Sequence, residues 1–326
     1  MMRRRHVIAG LAATLAAPCV SRALADTKFP SGNVRFVVPF SAGGPTDVVA
    51  RLIGDAMSAR WAVPVIVENK PGAGTIVGSA DIARSQPDGH TLGFVISAHT
   101  INPAIRKKLP YDTLRDFRGI TELAEAHVVL VANPSFSADE LDGFLKAARA
   151  ATEPLAFASP GTGTSTHLAG ELFKRLAGVE LTHVPYRGVA PVINDLIPGR
   201  VDVTFNTIGG LLPQVRAGNV RALAVTTPQR FPSVLEIPTI AESGVPGFDV
   251  SSWYGFFVPA RTPAPIVAKM HAGTAALLAE PALKDQLEKL GVMVVGSTPQ
   301  ALATQLKSEI DKWAPIIREN RIKAED

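Results

Sequence analysis

Cysteine is almost absent from this sequence. Cys19 is the one cysteine among 326 residues, and it lies in the N-terminal segment. If that segment is removed on export, the mature chain has no thiol at all. This excludes disulfide bonds, cysteine–metal sites and thiol catalysis in the mature chain. A thiol-free chain also suits an oxidising compartment, where a stray thiol would be a liability.

Long apolar runs, excess charge and paired histidines are also missing. No segment after the N-terminal region approaches about 18 uninterrupted apolar residues, the length of a membrane span. The chain has 33 basic and 29 acidic residues, and the first 25 residues hold four arginines and no acid, so 33 − 4 = 29 basic residues remain against 29 acidic ones. A near-neutral mature chain argues against nucleic-acid binding. The seven histidines show no HExxH or other close pairing, so we expect no metal and no cofactor.

The N-terminus has the pattern of an export signal. A basic start (Met1–Arg5) precedes an apolar stretch (Val7–Val20) and a small-residue cleavage site, Ala23-Leu24-Ala25. We predict cleavage after Ala25 and a periplasmic location. Arg4-Arg5 leaves both the Sec and the twin-arginine routes open, and Pro18 before Cys19 fits a lipid anchor poorly.

Strand and helix signals alternate along the rest of the chain, which predicts an α/β protein with mainly parallel sheets. The predicted strands cover 34–40, 64–68, 91–97, 127–132, 155–158, 181–186, 201–206, 220–227 and 253–258. The predicted helices cover 46–60, 75–85, 138–151, 165–177, 190–197, 210–217, 263–279 and 298–319.

Two stretches broken by proline, glycine and polar residues, 102–116 and 228–247, are predicted to be the places where the chain crosses between two lobes. Lobe 1 would then consist of 26–127 plus 252–326, and lobe 2 of the inserted 128–251. Two crossing segments make a hinge, and α/β lobes bind ligands at the carboxyl ends of their strands.

The most informative motifs are two glycine-rich turns, each between a short apolar strand and an amphipathic helix. The first spans Phe40-Ser41-Ala42-Gly43-Gly44 and continues to Asp47. Such a turn points free backbone N–H groups at one spot, and the helix dipole adds positive potential there. We expect the first turn to bind a carboxylate. Asp47 either complements the helix N-terminus or contacts the ligand directly.

The second turn, 159–167, combines Gly161 and Gly163 with Thr162, Thr164 and Ser165. One hydroxyl suffices to cap a helix, so the surplus suits several hydrogen bonds to an oxyanion. A Ser165–His167 catalytic pair is the alternative. It is disfavoured because the chain has no Gly-x-Ser-x-Gly motif and because residues two apart on a helix do not face each other.

Four further positions at predicted strand ends are candidates for the same site: Ser97, Tyr186, Arg187 and Asn206. Arg187 either pairs with a carboxylate or is simply solvated. The turn Gly72–Gly78 superficially resembles a dinucleotide-binding loop, but no acid ends the next strand, where a ribose partner belongs. We interpret that turn as structural, with its helix start able to face the cleft.

These motifs, in this order, resemble one family closely: the extracytoplasmic substrate-binding proteins of tripartite tricarboxylate transporters, also called Bug receptors. The resemblance runs from about residue 30 to the C-terminus. The matching segments include Arg35–Phe40 with Gly43-Gly44 and Asp47, Val67–Gly74, Pro87–Leu92, Ser159–Gly163 with His167–Glu171, Val184–Gly188, Arg221–Thr226 and Pro238–Glu242.

The resemblance implies a type II periplasmic-binding-protein fold, a two-lobed Venus flytrap that holds a small carboxylate between its glycine-rich loops. It implies a membrane permease of the tripartite type as the partner, with no nucleic acid, and we expect a monomer. Ser41, Thr75 and Asn206 depart from the residues common in the family (Pro, Gly and Asp), which leaves the ligand subtype open. A receptor docking on a sensor kinase and a secreted hydrolase are the alternative functions.

Overall fold

The computed structural model describes residues 29–136, 138, 140–319 and 322. The predicted export signal and its cleavage site lie outside these residues. The strands are β1 Val34–Val38, β2 Val65–Asn69, β3 Thr91–Ile96, β4 Phe117–Ala132, β5 Leu155–Ser159, β6 Leu181–Pro185, β7 Val203–Thr207, β8 Arg221–Val225, β9 Ser251–Pro259 and β10 Val292–Val294. The α-helices are α1 Pro45–Trp61, α2 Ile76–Arg84, α3 Ala98–Ile105, α4 Leu141–Ala150, α5 Ser165–Ala177, α6 Val189–Leu196, α7 Ile208–Arg216, α8 Ala264–Leu278, α9 Pro281–Lys289 and α10 Pro299–Glu319.

The strands form a continuous sheet in the order β2-β1-β3-β9-β4-β7-β5-β6, and β8 and β10 also pair with β4. The strands on either flank are parallel: β1 pairs with β2 and β3, and β5 pairs with β6 and β7. The central strands β4 and β9 pair antiparallel with their neighbours. The prediction of parallel sheets therefore holds on both flanks, while the centre is antiparallel.

The long strand β4 belongs to both parts of the sheet. Residues up to His127 pair with β9, and residues from Val128 pair with β7 and β8. We call the part with β1, β2, β3, β9, β10 and β4 up to His127 the first section, and the part with β5 to β8 and β4 from Val128 the second section. The first crossing thus lies inside a strand rather than in the stretch 102–116.

The second crossing lies beside the first. The segment after β8 stays on the second section, where the Val250 N–H donates to the Thr226 carbonyl and the Thr226 N–H donates to the Val128 carbonyl. Strand β9 then begins at Ser251, which pairs with His127. The two crossings are therefore neighbouring strand positions, not the irregular stretches that the composition pointed to.

Helix α10 packs against the cores of both sections. Leu302 and Leu306 share a cluster with Val37 of β1, whereas Trp313 shares one with Phe157 of β5. The prediction assigned all of 252–326 to lobe 1. The side chains at the end of α10 share a core with the second section, together with Ile101 and Ile105 of α3.

Candidate functional site

The first glycine turn links β1 to α1 and is held by side chains that follow it. Gly43 adopts a positive φ of 80° and donates its N–H to Asp47 Oδ2 at 2.9 Å. Asn69, at the end of the neighbouring strand β2, donates through Nδ2 to the Phe40 carbonyl at 2.9 Å and to Asp47 Oδ1 at 2.8 Å. The loop shape is thus fixed by two side chains. Helix α1 begins at Pro45, which has no N–H, so the N–H groups in its first turn are those of Thr46 and Asp47.

Asp47 is buried, with 2% of its surface exposed. Besides Gly43 and Asn69, Arg51 donates through Nε to Asp47 Oδ2 at 2.9 Å. Burial opposes ionisation, but the hydrogen bonds from Arg51, Gly43 and Asn69 outweigh it and hold the pKa of Asp47 below its usual value. Both carboxylate oxygens are engaged by the protein's own donors. This favours the helix-complementing role over direct contact with a ligand.

The second glycine turn links β5 to α5 and carries its own cap. Gly163 also has a φ of 80°, and it donates its N–H to His167 Nδ1 at 3.1 Å. Thr164 Oγ1 donates to the Gly161 carbonyl at 2.7 Å and accepts from the His167 N–H at 3.3 Å. Thr164 is the N-cap of α5, so of the three predicted hydroxyls this one serves the helix.

The two turns have the same backbone design. In each, a glycine at φ 80° precedes the N-cap, and the N-caps have nearly equal angles: φ −80° and ψ 166° at Gly44, φ −83° and ψ 160° at Thr164. In each, the glycine N–H donates to the side chain four residues later. Each turn also follows the middle one of three parallel strands, β1 in the first section and β5 in the second. The two sections therefore have matching helix starts.

A pair of stacked histidines supports the second turn. The rings of His167 and His183 lie 4.0 Å apart, centroid to centroid. His183 Nε2 lies 2.8 Å from Ser159 Oγ, which in turn accepts the Gly161 N–H at 3.3 Å. Burial, with a smaller effect of neighbouring cations, lowers the pKa of His167 to about 3 and of His183 to about 4. Both rings are therefore neutral at physiological pH.

The second turn and the start of α1 contact the opposite section of the sheet. A Cβ on Gly74, which follows β2, would lie 3.3 Å from the Thr162 carbonyl oxygen, and one on Gly163 would lie 2.4 Å from Ile105 Cδ1. A Cβ on Gly210 of α7 would lie 3.2 Å from Pro45 Cγ. The second turn and the start of α1, which directly follows the first turn, therefore lie at the seam between the sections.

Ser97 and Asn206 are fully buried at strand ends. Ser97 Oγ lies 3.3 Å from Ser252 Oγ of β9. Asn206 Oδ1 accepts the Thr207 N–H at 2.9 Å, while its Nδ2 has no hydrogen-bond acceptor among the described residues. A buried amide donor without an acceptor is costly.

Tyr186 and Arg187 follow strand β6 and lie in different surroundings. The Tyr186 hydroxyl donates to Asp195 Oδ2 of α6 at 2.8 Å, and burial together with that carboxylate raises the Tyr186 pKa to about 12. The hydroxyl is therefore engaged within the second section and is not free for a ligand. Arg187 is exposed, which is compatible with the solvated alternative.

The geometry gives no support to the Ser165–His167 catalytic pair. His167 Nδ1 is taken by the Gly163 N–H, and its Nε2 faces Glu171 Oε1 at 4.0 Å. Within the described ranges, no group of three His, Cys, Asp or Glu side chains could hold a metal ion. In the same part of the chain, every helix is too short or too polar to cross a membrane.

Sequence reasoning overlooked three side chains that shape the candidate site: Asn69, Arg51 and Asn102. Asn69 and Arg51 fix the first turn, and Asn102 donates through Nδ2 to the Gly74 carbonyl at 2.9 Å, which orders the turn facing Thr162. The signal for Asn69 was available. It ends the strand beside β1, and the carboxyl ends of parallel neighbours meet at one edge of a sheet.

The comparisons with known proteins agree with this geometry. Residues 49–322 match the model of the tripartite tricarboxylate transporter family receptor. Among solved structures, the periplasmic binding protein BugD is 32% identical with a TM-score of 0.84, covering 91% of this chain and 100% of BugD.

Two similar structures were solved with acids. Rpa4515 of R. palustris, solved with adipate, is 31% identical with a TM-score of 0.87 and covers 91% of this chain and 100% of its own. MatC from Rhodopseudomonas palustris, with bound malate, is 35% identical with a TM-score of 0.82 and covers 89% of this chain and 100% of its own.

These proteins share the fold of this chain over nearly their whole length, which confirms the type II periplasmic-binding-protein architecture. The family match covers most of the chain and includes the second glycine turn with its histidine. The chain therefore belongs to the tripartite tricarboxylate transporter receptor family and is a solute-binding receptor of the kind that binds carboxylates.

Proposed function

We propose that this receptor captures a small carboxylate between its two glycine-rich turns and delivers it to the membrane subunits of a tripartite tricarboxylate transporter. The observation that carries the proposal is the matched pair of turns, one from each section, at a common seam. Each turn leads into a helix N-terminus whose first N–H groups have no partner within the helix. Two such groups of donors suit an acid with two anionic ends.

The hydrogen-bond donors of the two turns are sufficient for micromolar affinity. Hydrogen bonds to a charged group contribute roughly 1.5–3 kcal/mol each. A handful of them, after the costs of association and closure, supports micromolar binding, about −8 kcal/mol. Thr162 and Ser165 add hydroxyl groups at the second turn.

Among small carboxylates, the dicarboxylates are the first candidates for the ligand. Two relatives were solved with adipate and malate, which are both dicarboxylates. Asn206 Nδ2 is an uncharged buried donor for which a carboxylate oxygen would be an acceptor. Citrate-like acids, acidic amino acids and aromatic acids are the other small carboxylates whose binding should be compared.

Closure of the two lobes, 26–127 with 252–326 and 128–251, would couple binding to recognition by the permease. The crossings at His127 and Ser251 are adjacent, which is the geometry of a hinge. A ligand that contacts both turns only in the closed form shifts the population of conformers toward the closed form.

We further propose that residues 1–25 direct export to the periplasm by the Sec or the twin-arginine route. BugD, a periplasmic binding protein, supports this location. The receptor has no catalytic role in this account, because His167, the base nearest Ser165 in sequence, is engaged with Gly163.

A thermal-shift screen of carboxylic acids on the mature chain, 26–326, tests the proposed function. Ligand binding raises the melting temperature by mass action, so we expect malate, adipate or another dicarboxylate to raise it in a concentration-dependent way. Monoamines and sugars of similar size serve as controls. No shift with any dicarboxylate, citrate, aspartate or benzoate would contradict the function.

A further inference from the structure

The turn between β2 and α2, residues 72–75, has an unusual backbone. All four residues have a positive φ, which is 132° at Gly72, 48° at Ala73, 61° at Gly74 and 80° at Thr75. Glycine adopts such angles freely, whereas a β-branched residue such as threonine is a clear outlier there. Strain of this kind persists only where the surrounding contacts impose it. We call residues 72–75 the strained turn.

The side chain of Asn102, on α3, holds the strained turn. Asn102 is fully buried and donates through Nδ2 to the Gly74 carbonyl at 2.9 Å and to Thr75 Oγ1 at 3.3 Å. Thr75 is itself only 4% exposed. The two hydrogen bonds restrain both the carbonyl group that precedes Thr75 and the Thr75 side chain, and thereby hold the positive φ.

Helix α3 connects Asn102 to the second section of the sheet. Ile105, three residues after Asn102, belongs to the same apolar cluster as Phe157 of β5. A Cβ on Gly163 would lie 2.4 Å from Ile105 Cδ1 and 3.8 Å from Asn102 Oδ1. The residue that holds the strained turn is therefore packed against the second glycine turn.

The strained turn also meets the second section directly. A Cβ on Gly74 would lie 3.3 Å from the carbonyl oxygen of Thr162, which belongs to the second glycine turn. Any side chain at position 74 would press on that carbonyl group. If the lobes open, Gly74 and Thr162 separate, and the packing of α3 against Gly163 loosens. Both restraints on the strained turn therefore depend on the position of the second section.

We propose that Thr75 is a positioning residue that sets the affinity of the receptor through the cost of closure: the contacts with the second section impose the positive φ at Thr75, and opening of the lobes releases the strain. The inference rests on the proposed function and involves no contact between Thr75 and the ligand. Strain that exists only in the closed form opposes closure, which the ligand has to stabilise. A residue that adopts a positive φ without cost would therefore give tighter binding of the same acid.

The test compares two variants that both lack the Thr75 hydroxyl group. Thr75→Gly adopts a positive φ freely, whereas Thr75→Val is β-branched like threonine and keeps the strain. Both lose the same hydrogen bond from Asn102, so the difference between them isolates the backbone. With malate and adipate as probes in calorimetry, we expect Thr75→Gly to bind at least about fivefold more tightly than Thr75→Val. Equal affinities, or tighter binding by Thr75→Val, would overturn the inference.

Two further readouts distinguish closure from contact with the ligand. The factor between the variants should be the same for malate and adipate, because relief of backbone strain does not depend on the ligand. It should also lie in the dissociation rate measured by stopped flow, because the closed form is the one that is stabilised. A gain for one acid and not for the other would mean that residue 75 contacts the ligand, and would overturn the inference.

Ala62 provides the matched control. It is an exposed residue with a φ of 54° at the end of α1, about 25 Å along that 17-residue helix from the first glycine turn. Its strain is present whether the lobes are open or closed, so Ala62→Gly should change the melting temperature without changing the affinity. A gain in affinity equal to that of Thr75→Gly would mean that relief of strain anywhere tightens binding, and would overturn the inference.

The melting temperature without ligand shows in which form Thr75 is strained. If opening releases the strain, Thr75→Gly should melt no higher than the native protein. A higher melting temperature with unchanged affinity would mean that both forms are strained, and would overturn the inference. If Thr75→Gly does not fold, Thr75→Asn gives the same comparison, because asparagine is enriched at positive φ. A native protein that binds no acid in calorimetry would instead disprove the proposed function itself.

Discussion

At the scale of single residues, the site depends on side chains that hold backbone groups in place. Asp47 and His167 each accept a glycine N–H, and Asn69 bridges Asp47 and the Phe40 carbonyl. None of these contacts requires a ligand. The backbone N–H groups are thus preorganised, which reduces the cost of binding.

Asn206 is expected to discriminate by charge. Its buried Nδ2 has no acceptor among the described residues, so Asn206→Asp would replace a donor with an anion facing a carboxylate. We expect calorimetry to show at least about a tenfold loss of affinity for a dicarboxylate. The matched control is Asn219→Asp, the same change at an exposed position. Equal effects in the two variants would remove Asn206 from the site.

Glu122 is expected to make stability fall as pH rises. It lies beneath α10 with 5% of its surface exposed. Burial raises its pKa to about 7, and Glu125 and Glu309 add repulsion, while a hydrogen bond from Gln305 works in the opposite direction. Between the unfolded pKa of 4.5 and about 7, the unfolded chain releases a proton that the folded chain retains, so stability declines across that window.

Glu122→Gln should abolish this decline. Above pH 7 the variant should be more stable than the native protein by up to about 3 kcal/mol, with little difference near pH 4. Urea unfolding at several pH values measures this, with Glu236→Gln at an exposed position as the control. A native stability that rises between pH 5 and 7, unchanged by Glu122→Gln, would show that Glu122 ionises normally.

At the scale of elements, the glycine turns are the parts that cannot be altered. Gly163→Val would force a β-branched residue into φ 80° and place its Cβ 2.4 Å from Ile105 Cδ1. We expect it to abolish dicarboxylate binding in calorimetry while the chain stays folded. Gly218→Val at the end of α7 is the control, because it has a similar φ of 72° and open space around it.

Both variants should lose about 1 kcal/mol or more of stability from the backbone strain. Only Gly163→Val should lose binding. If Gly163→Val kept its affinity for the dicarboxylate, the strained turn would not be in contact with the ligand. That result would contradict the role of the second turn.

Local signals predicted some elements well and missed others. Helix α5 was predicted with its observed bounds because Thr164 caps its start and Gly178, at φ 62°, ends it. Helix α3 was missed because it contains Pro103. The first part of β4 was missed because it carries Glu122 and Glu125 and is paired only through contacts distant in sequence.

Local sequence signals also predicted only part of the candidate site. The glycine turns were recognisable from sequence, since they follow apolar strands and open helices. The role of His167 was not, because it depends on a loop that turns back to the third helical position. The partner of the Tyr186 hydroxyl, Asp195, lies on the next helix, and spacing alone gave no reason to choose it over a ligand.

At the scale of the whole molecule, the sheet has two sections that share strand β4. The crossings at His127 and Ser251 are paired strand positions, and α10 packs on both cores. We expect a saturating dicarboxylate to reduce the radius of gyration of the mature chain in small-angle scattering, because binding favours the closed form. In Gly163→Val the ligand should leave the radius unchanged.

The central claim is that a carboxylate sits on the backbone and hydroxyl donors of the two glycine turns. A crystal structure of the mature chain with the acid that gives the largest thermal shift tests it most directly. We predict a carboxylate of the acid on the N–H and hydroxyl groups of the turns 40–44 and 161–165. An acid held elsewhere, or held by side chains such as Arg187 with both turns empty, would contradict the account.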